Sequence, residues 1–204
     1  MKRALPAALG AALALACAAC VASAPPPPAP AKAEAPAAPR AGCLDSGDGY
    51  LRARLRGALD LDIDWRNDEM DCSGGPRPDG AGLRVTIAGP LQSDGRRLRF
   101  VFGLAAVAPG AAARQVPTNL TVIFEGERRL FATRGDDKCT TDTLAQRRTG
   151  ALGGAPGSWR IEARGFCTAP AATLQGTERI LVTSFDFAGK IIADEAATAR
   201  QATR

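Results

Sequence analysis

Cysteine and carboxylate are the reactive groups this chain holds in number, and histidine is absent altogether. Without imidazole the usual nucleophilic triads and the commonest general base are missing. Six cysteines are present. Cys17 and Cys20 lie near the start, and Cys43, Cys72, Cys139 and Cys167 follow. The later four include no C-x-x-C pair, and zinc sites are built from closely spaced Cys and His. These four thiols are therefore expected to form two disulfides. Four cysteines allow three pairings. Cys43–Cys72 with Cys139–Cys167 is preferred, because each bond then closes a local loop within one half of the domain. Chain entropy makes each worth about 3.5 kcal/mol.

Asp60, Asp62 and Asp64 alternate with Leu59, Leu61, Ile63 and Trp65. On a strand these carboxylates share one face at a spacing of about 7 Å, and three like charges in a row need an offset. Calcium is one answer, since it takes several carboxylate oxygens. Arginines on neighbouring strands are the other. Arg84, Arg97 and Arg99 are the candidates, at about 0.2–1 kcal/mol per cross-strand pair. The run lacks the glycine and distal glutamate of a calcium loop, so the arginine-paired face is expected. Asp136 and Asp137, in the segment Arg134-Gly135-Asp136-Asp137-Lys138, complete the set of weak calcium candidates. The Arg-Gly-Asp triplet is read as a turn with Gly135 at a special backbone angle. No cofactor is expected.

Two glycine-rich segments, residues 45–49 and 72–80, are expected to be loops gathered at one end of the sheet, where binding sites commonly sit. Neither matches a phosphate-binding loop. No Asp/Glu pair stands out as an acid and base, because every acidic residue falls in a turn or on an outward strand position. Two Trp and one Tyr leave few rings for stacking on sugars.

The elements that must carry these groups read as strands. Residues 58–65 alternate with period two, the signature of a half-buried strand. Residues 82–89 and 97–102 flank a turn at Ser93-Asp94-Gly95 and form a hairpin. Residues 118–124 and 129–133 form another. Residues 159–167 alternate, and residues 179–187 are β-branched and aromatic, with Ile191 and Ile192 as an extension. Residues 140–148 (TTDTLAQRR) read as a short helix capped by Thr140 or Thr141. The expected fold is mostly β: an antiparallel sandwich or barrel of seven to nine short strands, one short helix and two disulfides.

The domain is framed by segments of another kind. Met1-Lys2-Arg3 is basic, and residues 4–21 are uncharged and rich in Ala and Leu. This is the layout of a secretory signal over residues 1–24, too weakly apolar for a membrane span. Cleavage is expected after Ala24 or Ala22; lipid attachment at Cys17 or Cys20 is the alternative. Residues 25–41 form a Pro/Ala-rich tether, residues 42–192 a single β domain, and residues 193–204 a tail without large apolar side chains. The layout resembles that of the small exported or lipid-anchored proteins of Gram-negative bacteria.

The whole chain carries a net charge of +5. Lys2, Arg3, Lys32, Arg40, Arg200 and Arg204 lie outside the domain, as do Glu34, Asp194 and Glu195, leaving 20 basic and 18 acidic residues within it. No basic stripe with interleaved aromatics appears, so nucleic acid is not an expected partner. The expected location is the periplasm, or the outer membrane if the chain is lipid-anchored, with no other tie to a membrane. The expected role is that of a non-catalytic binding or structural module contacting an envelope protein or glycan. A carrier of lipid or a small molecule is the alternative and requires an internal cavity. An Asp/Glu-dependent glycan hydrolase ranks below it, and needs two carboxyls facing each other across a groove at about 5–10 Å.

Overall fold

The computed structural model describes residues 42–127, 129–150 and 157–193. The chain divides into two units, Met1–Pro36 and Ala37–Arg204, and the described residues all belong to the second. Cys17, Cys20, the signal and tether segments and residues 194–204 lie outside the described residues.

Among the described residues eleven strands follow one another: β1 (Tyr50–Gly57), β2 (Leu61–Arg66), β3 (Asp71–Pro76), β4 (Gly82–Ala88), β5 (Arg97–Ala105), β6 (Ala113–Glu125), β7 (Arg129–Ala132), β8 (Cys139–Arg148), β9 (Gly157–Cys167), β10 (Ala171–Thr173) and β11 (Arg179–Ala193). A single 3-10 turn, Asn67–Glu69, joins β2 to β3. All pairings are antiparallel, within one continuous sheet of order β2-β1-β11-β10-β7-β6-β5-β4-β3. β8 and β9 form a second bridge, pairing β6 to β11. Along β6, β8 covers Ala113–Thr118 and β7 covers Thr121–Phe124. The chain between them, residues 133–138, is extruded as a loop.

The sheet folds over on itself. β2 and β3 end the path at opposite sides, although only residues 67–70 separate them in sequence. Inward aromatic rings join the two layers. Phe102 of β5 meets Phe187 and Phe185 of β11 at centroid distances of 4.5 and 5.1 Å. Trp65 of β2 meets Phe100 of β5 edge-on at 5.8 Å. Leu51, Leu55, Leu83, Ile87, Leu120, Val122 and Ile161 fill the rest, all fully buried. The alternation that places them is the period-two pattern of half-buried strands.

Both disulfides form, Cys43–Cys72 and Cys139–Cys167. The first ties the segment before β1 to β3, and so crosses between layers. The second joins residues directly opposite on β8 and β9. Asn67, buried at the corner after β2, organises the chain's entry. Its Oδ1 accepts the N–H groups of Leu44 and Gly49 at 2.8 and 3.1 Å, and its carbonyl accepts that of Cys43.

Two expectations about the elements change. The segment expected as a helix, residues 140–148, is strand β8. Its Thr141 is buried and shares a hydrogen bond with Thr118 of β6, and Cys139 fixes it to β9. Asp142 is the extra residue of a bulge where the register shifts between Thr141 and Thr143. That bulge broke the two-residue period and left a pattern resembling a helix. Within 72–80, the stretch up to Pro76 is strand, and only the rest is turn. β3 therefore carries the 45–49 loop and the Arg77–Gly82 turn to opposite ends, about 16 Å apart at 3.3 Å per residue.

A polar groove on the outer sheet face

β1, β11, β9 and β8 lie side by side and turn their polar positions to one face. The register places Arg52 beside Asp186 and Asp186 beside Arg164; Arg164 faces Thr143, and Thr143 faces Arg114 of β6. In the adjacent row stand Tyr50, Ala188, Glu162 and Ala145. The alanines leave the row shallow, and a groove of about 410 Å³ results. Its lining includes Tyr50, Arg114, Thr143, Glu162, Arg164 and Asp186. A second groove, about 470 Å³, shares Arg164 and Asp186 and continues over Arg52, Arg54, Asp62 and Asp64. Both fall within the size range of small-ligand sites, about 300–1,000 Å³.

The polar groups are held in place by one another. The Tyr50 hydroxyl donates to Asp186 Oδ1 at 2.9 Å, and Arg164 Nε lies 3.6 Å from Asp186 Oδ2. The Arg52 guanidinium covers the Tyr50 ring at 4.9 Å and reaches Asp64 at 3.3 Å. Glu162 accepts from Arg160 Nε at 2.6 Å. Burial, and then the Asp186 carboxylate, push the Tyr50 phenol up to about 12. Four arginines, 52, 54, 114 and 164, face four carboxylates, Asp62, Asp64, Glu162 and Asp186, so the grooves carry no net charge.

The expected site residues divide among separate places. Asp60 accepts the N–H of Gly57, Asp62 pairs with Arg56 at 2.7 Å and Asp64 with Arg52. This is the arginine-paired face, but its arginines come from β1. β2 is the hairpin partner of β1 and sits at the far end of the sheet path from β4 and β5. Arg97 and Arg99 turn instead to Glu125, and Arg97 also to Asp71. Asp136 takes Arg77 Nη1 at 3.0 Å and the Asn119 amide; Asp137 takes Lys138. Gly135 has the positive φ expected of it, 113°. Among the described residues no group of three or more Cys, Asp or Glu side chains converges as a metal site would require.

The 45–49 loop is tied down. Ser46 donates to Asp48, and Arg160, whose side chain is 7 % exposed, donates to Asp48 Oδ1 at 2.6 Å. Asp48 is thus engaged within the fold, whereas Asp45 is exposed and only approaches Lys190, at 4.0 Å. Tyr50, Glu162, Arg164 and Asp186 were not singled out from sequence. The signal was present in YLRARLRG, whose apolar/basic alternation is as strict as that of residues 58–65. Protein-family models, curated proteins and solved structures were compared with the chain, and no match was found.

Proposed function

We propose that this is an exported β domain of a bacterial cell envelope that binds without catalysis, and that its ligand is a neutral, hydroxyl-rich glycan held on the β1–β11–β9–β8 face. The observation that carries this reading is the pair of joined grooves lined by matched arginines and carboxylates. Such pairs set donors and acceptors side by side, as vicinal hydroxyls require, and their cancelling charge gives an ionic ligand no advantage. A protein partner would favour large apolar anchors at the centre of the patch. Those exposed among the described residues, Leu91, Phe166, Leu174 and Ile192, line neither groove.

Hydrolysis of a glycan needs one carboxyl held protonated near neutral pH. In the two grooves Asp62, Asp64, Glu162 and Asp186 are each engaged by an arginine, and this supports binding over catalysis. The carrier reading draws no support from an interior occupied by Phe100, Phe102, Phe131, Phe185 and Phe187. Export is supported by the basic, then apolar, N-terminal segment and by the two disulfides, which persist in oxidising compartments. Among the described residues no helix is long and apolar enough to cross a membrane.

Calorimetric titration with soluble neutral envelope oligosaccharides tests the ligand. Saturable binding that weakens at least about tenfold in Arg114→Ala and Arg164→Ala, with unfolding midpoints unchanged, is expected. Binding unaffected by both, or none to any neutral glycan, overturns it. The mass of the mature N-terminus decides between cleavage after Ala22 or Ala24 and lipid at Cys17 or Cys20.

A further inference from the structure

We infer that the outer edge of β2 is a docking site for an extended peptide of a partner protein, one that alternates apolar residues with Lys or Arg. The inference does not rest on the glycan reading, although Asp62 and Asp64 border both this edge and the second groove.

Among the described residues β2 pairs only with β1. Arg66 donates its N–H to Glu69 Oε2 at 2.8 Å, away from β1. Strand parity then turns the N–H and C=O of Asp62 and Asp64 the same way. Among the described residues no main-chain bond is made to that side of β2. An open strand edge is a template for another strand, and strand addition gains affinity from main-chain bonds and specificity from pockets for alternate side chains.

Such a pocket lies beside this edge. A groove of about 350 Å³ is lined by Leu61 and Trp65 of β2, Leu98 of β5 and Phe124 of β6. Its charged rim is satisfied internally, through Arg97 with Glu125 and Arg96 with Glu127. An added strand would put its inward side chains into this apolar groove and its outward ones opposite Asp62 and Asp64. Those carboxylates are 68 % and 73 % exposed.

The chemistry of the occupant is visible on the other edge of the same strand. There β2 accepts β1, whose Leu51, Ala53 and Leu55 point inward while Arg52 and Arg54 stand opposite Asp64 and Asp62. An incoming strand of that pattern meets the same inward surface and the same two carboxylates. Opposite charges across a ladder favour the pairing and like charges oppose it.

The test titrates the full mature chain with a blocked peptide of the β1 sequence Leu-Arg-Ala-Arg-Leu-Arg, and with the same peptide carrying Glu for Arg. Trp65 emission in a Trp159→Phe background reports occupancy. The arginine peptide is expected to saturate, the glutamate peptide to bind at least about tenfold more weakly, and Asp62→Pro to abolish binding. Proline there removes an outward donor and spares the β1 ladder. As a check independent of any variant, amide exchange at Asp62 and Asp64 slows when the arginine peptide binds. Equal binding of both peptides, no saturation, no change in exchange, or concentration-dependent pairing of the free chain through this edge overturns the inference.

Discussion

The hydroxyl of Tyr50 on β1 donates to the carboxylate of Asp186 on β11, at 2.9 Å and across 136 residues of sequence. Burial and this carboxylate raise the phenol from 10.0 to about 12. A group whose pKa is raised by folding contributes stability that is whole below its unfolded value and lost as pH rises through its folded one. The contribution of Tyr50 is therefore intact below pH 10 and disappears toward pH 12. It is the chain's one tyrosine, so tyrosinate absorbance reads it alone. A native titration midpoint near that of the denatured chain would refute the assignment. Tyr50→Phe should cost about 0.5–1.5 kcal/mol, the worth of an ordinary hydrogen bond.

Arg160 and Asp48 give the opposite sign. The Ser46 hydroxyl, opposed by burial and aided by the Arg160 guanidinium, holds the Asp48 carboxyl below its usual 3.8. A lowered carboxylate stabilises above its unfolded pKa, and the effect fades as pH falls through its folded one. Acidification below about pH 4 should therefore release the 45–49 loop before the domain unfolds, seen as faster amide exchange at Leu44 and Gly49. Asp48→Asn should show that release at neutral pH. If loop and core exchange together across the acid range, the loop is not held by this pair.

The two disulfides enclose nearly equal separations, 29 and 28 residues. Loop entropy then predicts nearly equal losses, about 3.5 kcal/mol each, for Cys43→Ser with Cys72→Ser and for Cys139→Ser with Cys167→Ser. Chemical denaturation of the two double variants measures this directly. A difference above about 1.5 kcal/mol would mean that one bond acts mainly through the packing it imposes on the folded layers.

Most parts of this fold governed by local chemistry were legible in the sequence; β1 was passed over although its alternation is strict. Alternation located β2, β4, β5, β6, β7, β9 and β11, and residue type with spacing paired the cysteines. Long-range partners were not legible. The arginines facing Asp62 and Asp64 follow from strand order, which no short window contains. β8 was hidden by its bulge at Asp142, and β3 by Gly74-Gly75-Pro76, which reads as a turn. The candidate site was hidden for the first reason: Tyr50, Glu162 and Asp186 become neighbours only once β11 enters between β1 and β9.

Gly74 and Gly75 sit within β3 because β3 lies close against the end of β11 and, at Gly74, also against the β4 backbone. A Cβ on Gly74 would lie 2.5 Å from the Arg84 carbonyl oxygen and 2.7 Å from Ile191 Cγ2; one on Gly75 would lie 2.7 Å from the Ile192 carbonyl oxygen. Two of these neighbours are backbone and cannot swing aside, so the requirement is for close approach. Gly47 is different: its φ is +79°, and nothing lies within 4 Å of its Cβ position. Gly47→Ala should cost only the left-handed backbone penalty, about 1–2 kcal/mol. Gly74→Ala should cost about 1–3 kcal/mol by overpacking and also lift β3 from β11. The effects separate by readout. Gly47→Asn should restore most of the stability at the first site, because Asn tolerates that backbone region. Gly74→Asn should be worse than Gly74→Ala, because size is what the second site refuses. If the two sites respond alike in thermal unfolding, the contact between β3 and β11 is not what selects glycine there.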